Sequence, residues 1–118
     1  KTTIAAVRQT FPPVTSSLRV DASVLAALPA RLRAAQATFE RTGGLHAAAV
    51  FTAEGELLVV REDVGRHNAV DKALGWGLLA GPGAFAEHVL LVSGRSSFEI
   101  MQKALAGRLP IVAAVSAP

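Results

Sequence analysis

The densest group of reactive side chains in this sequence lies between Arg61 and Lys72, where an apolar run gives way to charged residues. The seven positions from Arg61 to His67 hold five charged or titratable side chains around a glycine. Burying such groups unpaired costs free energy, so a core strand does not need them at its end. A binding or catalytic site at a strand-to-helix turn does need them. The candidate site residues here are Asp63, Gly65, Arg66, His67 and Asn68.

A second polar turn repeats the Gly-Arg pair further along the chain. The first turn of a helix has free amide hydrogens and the positive end of the helix dipole, which together favour an anion. An adjacent arginine can hold a phosphate through two parallel hydrogen bonds. Neither turn matches a Walker loop or a dinucleotide fingerprint, so ordinary helix capping remains the alternative. The candidate residues of the second turn are Ser93, Gly94, Arg95, Ser96, Ser97, Phe98 and Glu99.

Two pairs of side chains one helical turn apart follow the first turn. Asp71 is spaced to orient His67 for proton transfer or ligand binding. Asn68 and Lys72 have the same spacing, and a solvated helix face is the simpler explanation for that pair. His88 comes just before the apolar residues of a strand and has no reactive neighbours, which indicates a surface position.

The larger hydrophobic residues of the helices are predicted mainly to fill the core. Phe98, Met101 and Leu105 have helical spacing and are most simply buried. Phe98 also lies in the first turn of its helix, where a ring could stack on a base. Trp76 is predicted to pack against the sheet.

The hydrophobic pattern predicts three helices and four strands. The first helix is capped by Asp21 or Ser23, continues to about Thr42 and is ended by Gly43-Gly44. The other elements are strands His46–Thr52, Glu56–Arg61, His88–Ser93 and Pro110–Val115, and helices Arg66–Ala80 and Ser96–Ala106.

The connections determine where the polar turns meet. The short link at Glu54-Gly55 predicts an antiparallel hairpin, in which His46 lies opposite Asp63. That neighbour leaves two roles open for His46, an interior residue or an acid or base. Strands joined through a helix should be parallel, in a mixed sheet with helices on both faces, and ligands bind beyond the carboxyl ends of such strands. We expect four segments to converge there: His46, Arg61–Asn68, Ser93–Glu99 and Ser116–Pro118.

Length and composition indicate a single domain over residues 1–118. The chain is 51% apolar and 18% charged, which is typical of a folded α/β domain. The absence of cysteine excludes disulfides and any thiol chemistry by these residues themselves. Three histidines are too scattered to predict a metal site. The net charge of +3 favours phosphorylated small molecules over nucleic acid, and no membrane span or signal peptide is visible, so a cytoplasmic protein is expected.

Four motifs resemble the FdhD family, the sulfur-carrier accessory proteins of formate dehydrogenases. They are Thr42–Ala48 (TGGLHAA), Arg61–Lys72 (REDVGRHNAVDK), Ser93–Glu99 (SGRSSFE) and Ala114–Pro118 (AVSAP). Four motifs in the family's order and spacing, covering nearly all of the chain, are very specific.

The resemblance implies a three-layer α/β/α fold of the cytidine-deaminase type. It also implies that sulfur is accepted from a cysteine desulfurase as a cysteine persulfide. The sulfur then passes to the bis(guanine dinucleotide) molybdenum cofactor, which is inserted into formate dehydrogenase. A homodimer is plausible by the same relationship. Persulfide transfer needs a thiolate nucleophile on an accessible loop.

The chain departs from the family pattern in two ways. The family's Cys-Gly-x-Cys-Gly motif should lie immediately before Lys1, and a Phe-x-x-Pro-Gly-Arg motif should follow Pro118. We therefore expect the chain to be the central core of such a protein, unable to carry sulfur alone. Its contribution is expected to be a nucleotide-binding edge at His46, Asp63–Asn68 and Ser93–Glu99, with Arg66 and Arg95 near the phosphates of the guanine dinucleotide.

Two other classes of function compete with the sulfur carrier. A zinc deaminase would need a His or Cys and a Pro-Cys-x-x-Cys pair to bind zinc, with a glutamate to move the proton. Arg66-His67-Asn68 does not supply these groups. A non-catalytic nucleotide-binding or partner-docking module fits the chain as it stands.

Overall fold

The computed structural model describes residues 13–39, 45–81 and 83–115, and these form three helices and four strands. The helices are α1 (Ala22–Phe39), α2 (Arg66–Ala80) and α3 (Phe98–Ala106), and the strands are β1 (His46–Thr52), β2 (Leu57–Asp63), β3 (His88–Ser93) and β4 (Ile111–Val115). The predicted order of helices and strands is confirmed. The predicted helix end at Thr42–Gly44 lies outside the described residues.

The four strands form one mixed sheet in the order β2-β1-β3-β4. Strand β1 is antiparallel to both of its neighbours, and β3 is parallel to β4. Strands β2, β3 and β4 therefore run in one direction, and their carboxyl ends meet at the edge where β1 begins. The predicted hairpin register is confirmed, because His46 is the Cα partner of Asp63. A register shift between Val50 and Phe51 absorbs one residue near the hairpin turn.

Helices cover both faces of the sheet, as expected. Successive side chains of a strand point to opposite faces, so β1 supplies both cores. Ala48 and Val50 belong to the cluster that includes residues of α2 and α3, whereas Ala49 and Phe51 pack with residues of α1. Among the described residues no polar or charged side chain is fully buried. The three-layer α/β/α arrangement with a mixed sheet is confirmed.

Several predicted boundaries move by one or two residues, and two of the shifts bear on the site. Strand β2 extends past the predicted Arg61 to Asp63, because its ladder with β1 continues to His46. Helix α3 begins at Phe98 instead of Ser96, since Ser97 has extended backbone and acts as the N-cap. The carboxyl-end turns are therefore Val64-Gly65 and Gly94–Ser97.

The prediction that Met101 fills the core is wrong. Helix α3 fully buries only Ile100 and Ala104, which lie one turn apart on the face toward the sheet. Met101 is 48% exposed and Phe98 is 43% exposed. Trp76 is partly buried against the core, and its ring stacks on Phe85 with a centroid separation of 6.1 Å.

Candidate functional site

The predicted site residues that the structure describes lie together at the carboxyl edge of the parallel strands. We call this region the polar rim, and it consists of His46, Asp63–Asn68 and Ser93–Glu99. The turn after β2 contacts the turn after β3 directly, because Nη1 of Arg66 donates a hydrogen bond to the carbonyl oxygen of Arg95 at 3.0 Å. Ser116–Pro118, the fourth segment expected here, lies outside the described residues.

The turn after β2 is organised by the carboxylate of Asp63, whose side chain is 19% exposed. Oδ2 accepts hydrogen bonds from the backbone amide of Gly65 at 2.9 Å and from Nδ2 of Asn68 at 3.2 Å. Oδ1 pairs with Nζ of Lys72 at 3.0 Å. The Gly65 amide, then Lys72 and Asn68, lower the pKa of Asp63 to about 2. Asp63 and Asn68 therefore hold the turn together, and both of the carboxylate oxygens have partners within the protein.

Lys72 is a residue whose role the sequence reasoning missed. It was paired with Asn68 by helical spacing, but its ammonium reaches back to Asp63 and to the carbonyl oxygen of Glu62 at 3.0 Å. Asn68 also bonds Asp63, so the two side chains share an acceptor. The signal is present in the sequence as a lysine nine residues beyond the acidic strand end, in the second turn of the helix that follows.

The turn after β3 is anchored at both ends. Oγ of Ser93 accepts a hydrogen bond from the backbone amide of Ala47 at 2.8 Å. The amide of Gly94 donates to the carbonyl of Val115 at 2.6 Å. Oγ of Ser97 caps α3 by accepting from the amide of Ile100 at 3.2 Å. Capping was the simpler alternative for this turn, and for Ser97 it is confirmed.

Between these anchors the second turn stays open. The side chains of Arg95 and Ser96 are exposed and form no hydrogen bond or ion pair with any described residue. Gly94 has a φ of +90°, a conformation that side-chain-bearing residues rarely adopt. The turn therefore presents, beside the N-terminus of α3, a guanidinium and a hydroxyl that have no partner in the described part of the chain.

His46 lies under this second turn and does not pair with Asp63. A Cβ at Gly94 would lie 3.3 Å from Cε1 and Nδ1 of the His46 ring, so the ring packs closely on the glycine. Within the described part of the chain the His46 side chain makes no hydrogen bond or ion pair. The two residues are opposite each other in register, but the Asp63 carboxylate turns toward α2. The structure therefore favours a packing role for His46.

The prediction that Asp71 orients His67 is wrong. Oδ1 of Asp71 pairs with Nζ of Lys103 on α3 at 2.6 Å. Nε2 of His67 instead lies 3.9 Å from Oε1 of Glu99, also on α3. Spacing within one helix pairs His67 with Asp71, whereas the packing of α2 beside α3 gives each of them a partner on the other helix.

The rim combines features that suit an anionic ligand with an apolar portion. Helices α2 and α3 both begin there. The N-cap of α2 is Gly65, so no N-cap side chain bonds the amides of the first turn of this helix. The positive ends of two helix dipoles and the free Arg95 favour a phosphate. Phe98, in the first turn of α3, offers an exposed ring for stacking. The described residues contain no group of three His, Cys, Asp or Glu side chains placed to hold a metal ion.

A groove lies away from the rim, at the C-terminal end of α2. This groove of about 420 Å³ is mainly apolar, and its lining includes Leu74, Leu78, Phe85 and Gly107. No predicted site residue lines it. Leu78 is 84% exposed, so the groove opens widely to solvent.

Comparisons with known proteins identify the family. A family model described as the FdhD/NarQ family matches residues 1–118. A protein of Streptomyces avermitilis named sulfur carrier protein FdhD is 61% identical over 107 residues, which is 91% of this chain and 36% of that protein. One of the same name from Thermoplasma acidophilum is 46% identical over 118 residues, covering 100% of this chain and 42% of that protein. The chain thus spans less than half the length of these relatives.

A solved structure agrees with the sequence comparisons. The crystal structure of a proposed formate dehydrogenase accessory protein from Desulfotalea psychrophila superimposes with a TM-score of 0.74 at 25% identity. The match covers 91% of this chain and 44% of that one. None of the helices in the described ranges combines the length and hydropathy needed to cross a bilayer. With a family model matching its whole length and a relative 61% identical over 91% of it, the chain belongs to the FdhD/NarQ family.

Proposed function

We propose that this protein is a sulfur carrier of the kind for which its relatives are named. It accepts sulfur from a cysteine desulfurase as a cysteine persulfide and passes it to the bis(guanine dinucleotide) molybdenum cofactor for formate dehydrogenase. Family membership supports this proposal. Residues 1–118 contain no cysteine, so the proposal requires a thiolate supplied from outside them. The part of the function proposed for this chain is to hold the nucleotide end of the cofactor at the polar rim.

One observation carries the nucleotide-binding role. The turns after β2 and β3 contact each other through Arg66 and the Arg95 carbonyl, so two helix N-termini open at one place. Beside them the guanidinium of Arg95 has no partner among the described residues. An unpaired guanidinium next to free helix amides is a setting in which a phosphate gains charge-assisted hydrogen bonds.

The rim residues divide into distinct roles in this proposal. Arg95 and the first amides of α3 contact a phosphate, and Phe98 stacks on the guanine. Ser96 offers a hydroxyl to the same ligand. Asp63 and Ser93 hold the backbone of the turns, because their oxygens already accept hydrogen bonds within the protein.

The test is calorimetric titration of the complete gene product with GDP. Arg95→Ala should weaken binding by about tenfold or more, since a hydrogen bond to a charged group contributes about 1.5–3 kcal/mol. Arg33→Ala is the matched control, because it removes the same charge from an exposed position on α1. Equal affinities for the parent and Arg95→Ala would remove Arg95 from the site.

The rival function is a nucleotide-binding or partner-docking module without sulfur chemistry. The cysteine-free sequence of this chain favours it over catalysis by these residues alone. Incubating the complete gene product with a cysteine desulfurase and cysteine separates the two. A persulfide on the product supports the sulfur carrier, and its absence together with GDP binding supports the rival.

A further inference from the structure

The two arginines of the rim differ in their surroundings. The side chain of Arg95 is exposed and has no partner among the described residues. Arg66 is half-buried, and its Nη1 donates to the Arg95 carbonyl oxygen at 3.0 Å. The sequence placed both arginines near a phosphate, but the structure directs the Arg66 guanidinium toward the backbone of the opposite turn.

Arg66 supplies the central attachment of that turn. Gly94 and Ser97 are fixed at its two ends by hydrogen bonds to Val115 and Ile100. Between them, the described residues offer one hydrogen bond to the backbone or side chains of residues 95 and 96, and that bond comes from Arg66. Without it, the segment that carries the free guanidinium would be held only at its ends.

The stem of Arg66 adds to this attachment. Its Cδ would lie 3.9 Å from a Cβ at Gly94, while the His46 ring would lie 3.3 Å from the same point. Gly94 thus lies beside both the imidazole and the arginine stem. The aliphatic part of Arg66 contacts the turn at one residue and the guanidinium bonds it at the next.

We propose that Arg66 is a positioning residue that holds the turn after β3 in the conformation that binds an anion, whereas Arg95 is the ligand-contacting cation. This inference rests on the proposed function for its ligand. A binding loop that is already ordered loses less conformational entropy when the ligand arrives, so fixing the Arg95 carbonyl raises affinity without contact between Arg66 and the phosphate.

The test combines motion without ligand and affinity with it. In the ligand-free complete gene product, ¹⁵N relaxation should show order parameters near about 0.85 for the amides of Arg95 and Ser96. Arg66→Ala should lower these values toward about 0.6, whereas Arg66→Lys, which keeps a donor of similar reach, should preserve most of the order. Arg33→Ala should leave them unchanged. Thermal melts establish that each variant is folded.

GDP titrations at several salt concentrations then separate positioning from contact. Arg66→Ala should lose roughly three- to tenfold in affinity, as expected for one hydrogen bond, and Arg66→Lys should recover most of that loss. Arg95→Ala should flatten the salt dependence strongly, and Arg66→Ala only slightly. In a protein that already carries Arg95→Ala, adding Arg66→Ala should reduce GDP affinity by a smaller factor than it does in the parent, because the two residues act through one turn.

The outcomes distinguish this proposal from the proposed function. Failure of the parent to bind GDP overturns nucleotide binding at the rim, and with it the ligand part of the inference. Unchanged order parameters in Arg66→Ala overturn the positioning role whether or not GDP binds. Equal flattening of the salt dependence by Arg66→Ala and Arg95→Ala would make Arg66 a phosphate ligand instead.

Discussion

The turns after β2 and β3 carry the same Gly-Arg pair and begin helices side by side, yet they are built differently. The first is closed, since Asp63 bonds the Gly65 amide and two side chains of α2. The second is open, because its serines fix only the two ends and Arg95 extends into solvent. A closed turn supplies rigidity and an open turn supplies binding groups. Because the first turn is held by Asp63, the guanidinium of Arg66 is available to bond the backbone of the second turn.

The difference between the turns is also visible in their glycines. Gly94 has a φ of +90°, whereas Gly65 has a φ of −107°, which any residue can adopt. A Cβ at Gly65 would lie 3.4 Å from Nδ2 of Asn68, an ordinary contact with a flexible side chain. The open turn therefore requires glycine for its backbone, and the closed turn does not.

The largest expected effect follows from this contrast. Gly94→Ala should lower the free energy of unfolding by about 1–3 kcal/mol, because a non-glycine residue is strained at this φ and the new methyl group crowds the His46 ring. Gly65→Ala should change it by less than about 1 kcal/mol, since neither strain nor a severe contact arises. Urea denaturation measures the free energy of unfolding of both variants. Comparable losses of stability in the two variants would show that the second turn does not require glycine more than the first.

Much of this fold was predictable from the sequence because each element carries its own local signal. Alternating and helical hydrophobic patterns place β1, α2 and β3 within their observed limits. The short hairpin link determines the register of His46 and Asp63. The convergence of the two Gly-Arg turns also follows, since carboxyl ends of parallel strands share an edge.

The partners of individual side chains were not predictable in the same way. Helical spacing suggested Asp71 for His67, but spacing within one helix says nothing about a second helix beside it. The contacts of Asp71 with Lys103 and of His67 with Glu99 depend on how α2 and α3 pack. The partner of Arg66 was equally unpredictable. It is a backbone carbonyl 29 residues away, and every residue type has a backbone carbonyl, so the sequence does not single it out.

The closed turn should be sensitive to acid through Asp63. Its pKa is lowered to about 2 from an ordinary value of 3.8, so the folded state favours the charged form. The stabilisation is therefore complete above about pH 4 and is lost as the pH falls from about 4 to about 2. Asp63→Asn should reduce stability at neutral pH and make the loss between pH 4 and pH 2 shallower.

Denaturation of the parent and Asp63→Asn at pH 7, 4, 3 and 2 measures this effect. Glu54→Gln is a suitable control, because Glu54 is an exposed carboxylate in the hairpin turn, away from the rim. Between pH 4 and pH 2 the free energy of unfolding should fall less steeply in Asp63→Asn than in Glu54→Gln. An acid profile of Asp63→Asn that parallels the parent would show that the carboxylate does not close the turn.

The smallest expected effect concerns the ion pair that joins the two helices beyond their turns. Lys103→Ala removes the partner of Asp71, whose side chain is 52% exposed, and should cost less than about 1 kcal/mol because solvent and salt screen such pairs. Lys72→Ala makes the same substitution in the closed turn, where the lysine bonds both Asp63 and the Glu62 carbonyl, and should cost more. Urea denaturation at low and high salt measures both. If Lys103→Ala lowered the free energy of unfolding more than Lys72→Ala, the position of the two turns would depend more on the pairing of the helices than on the hydrogen bonds of Asp63. The closed turn would then not be the scaffold of the rim.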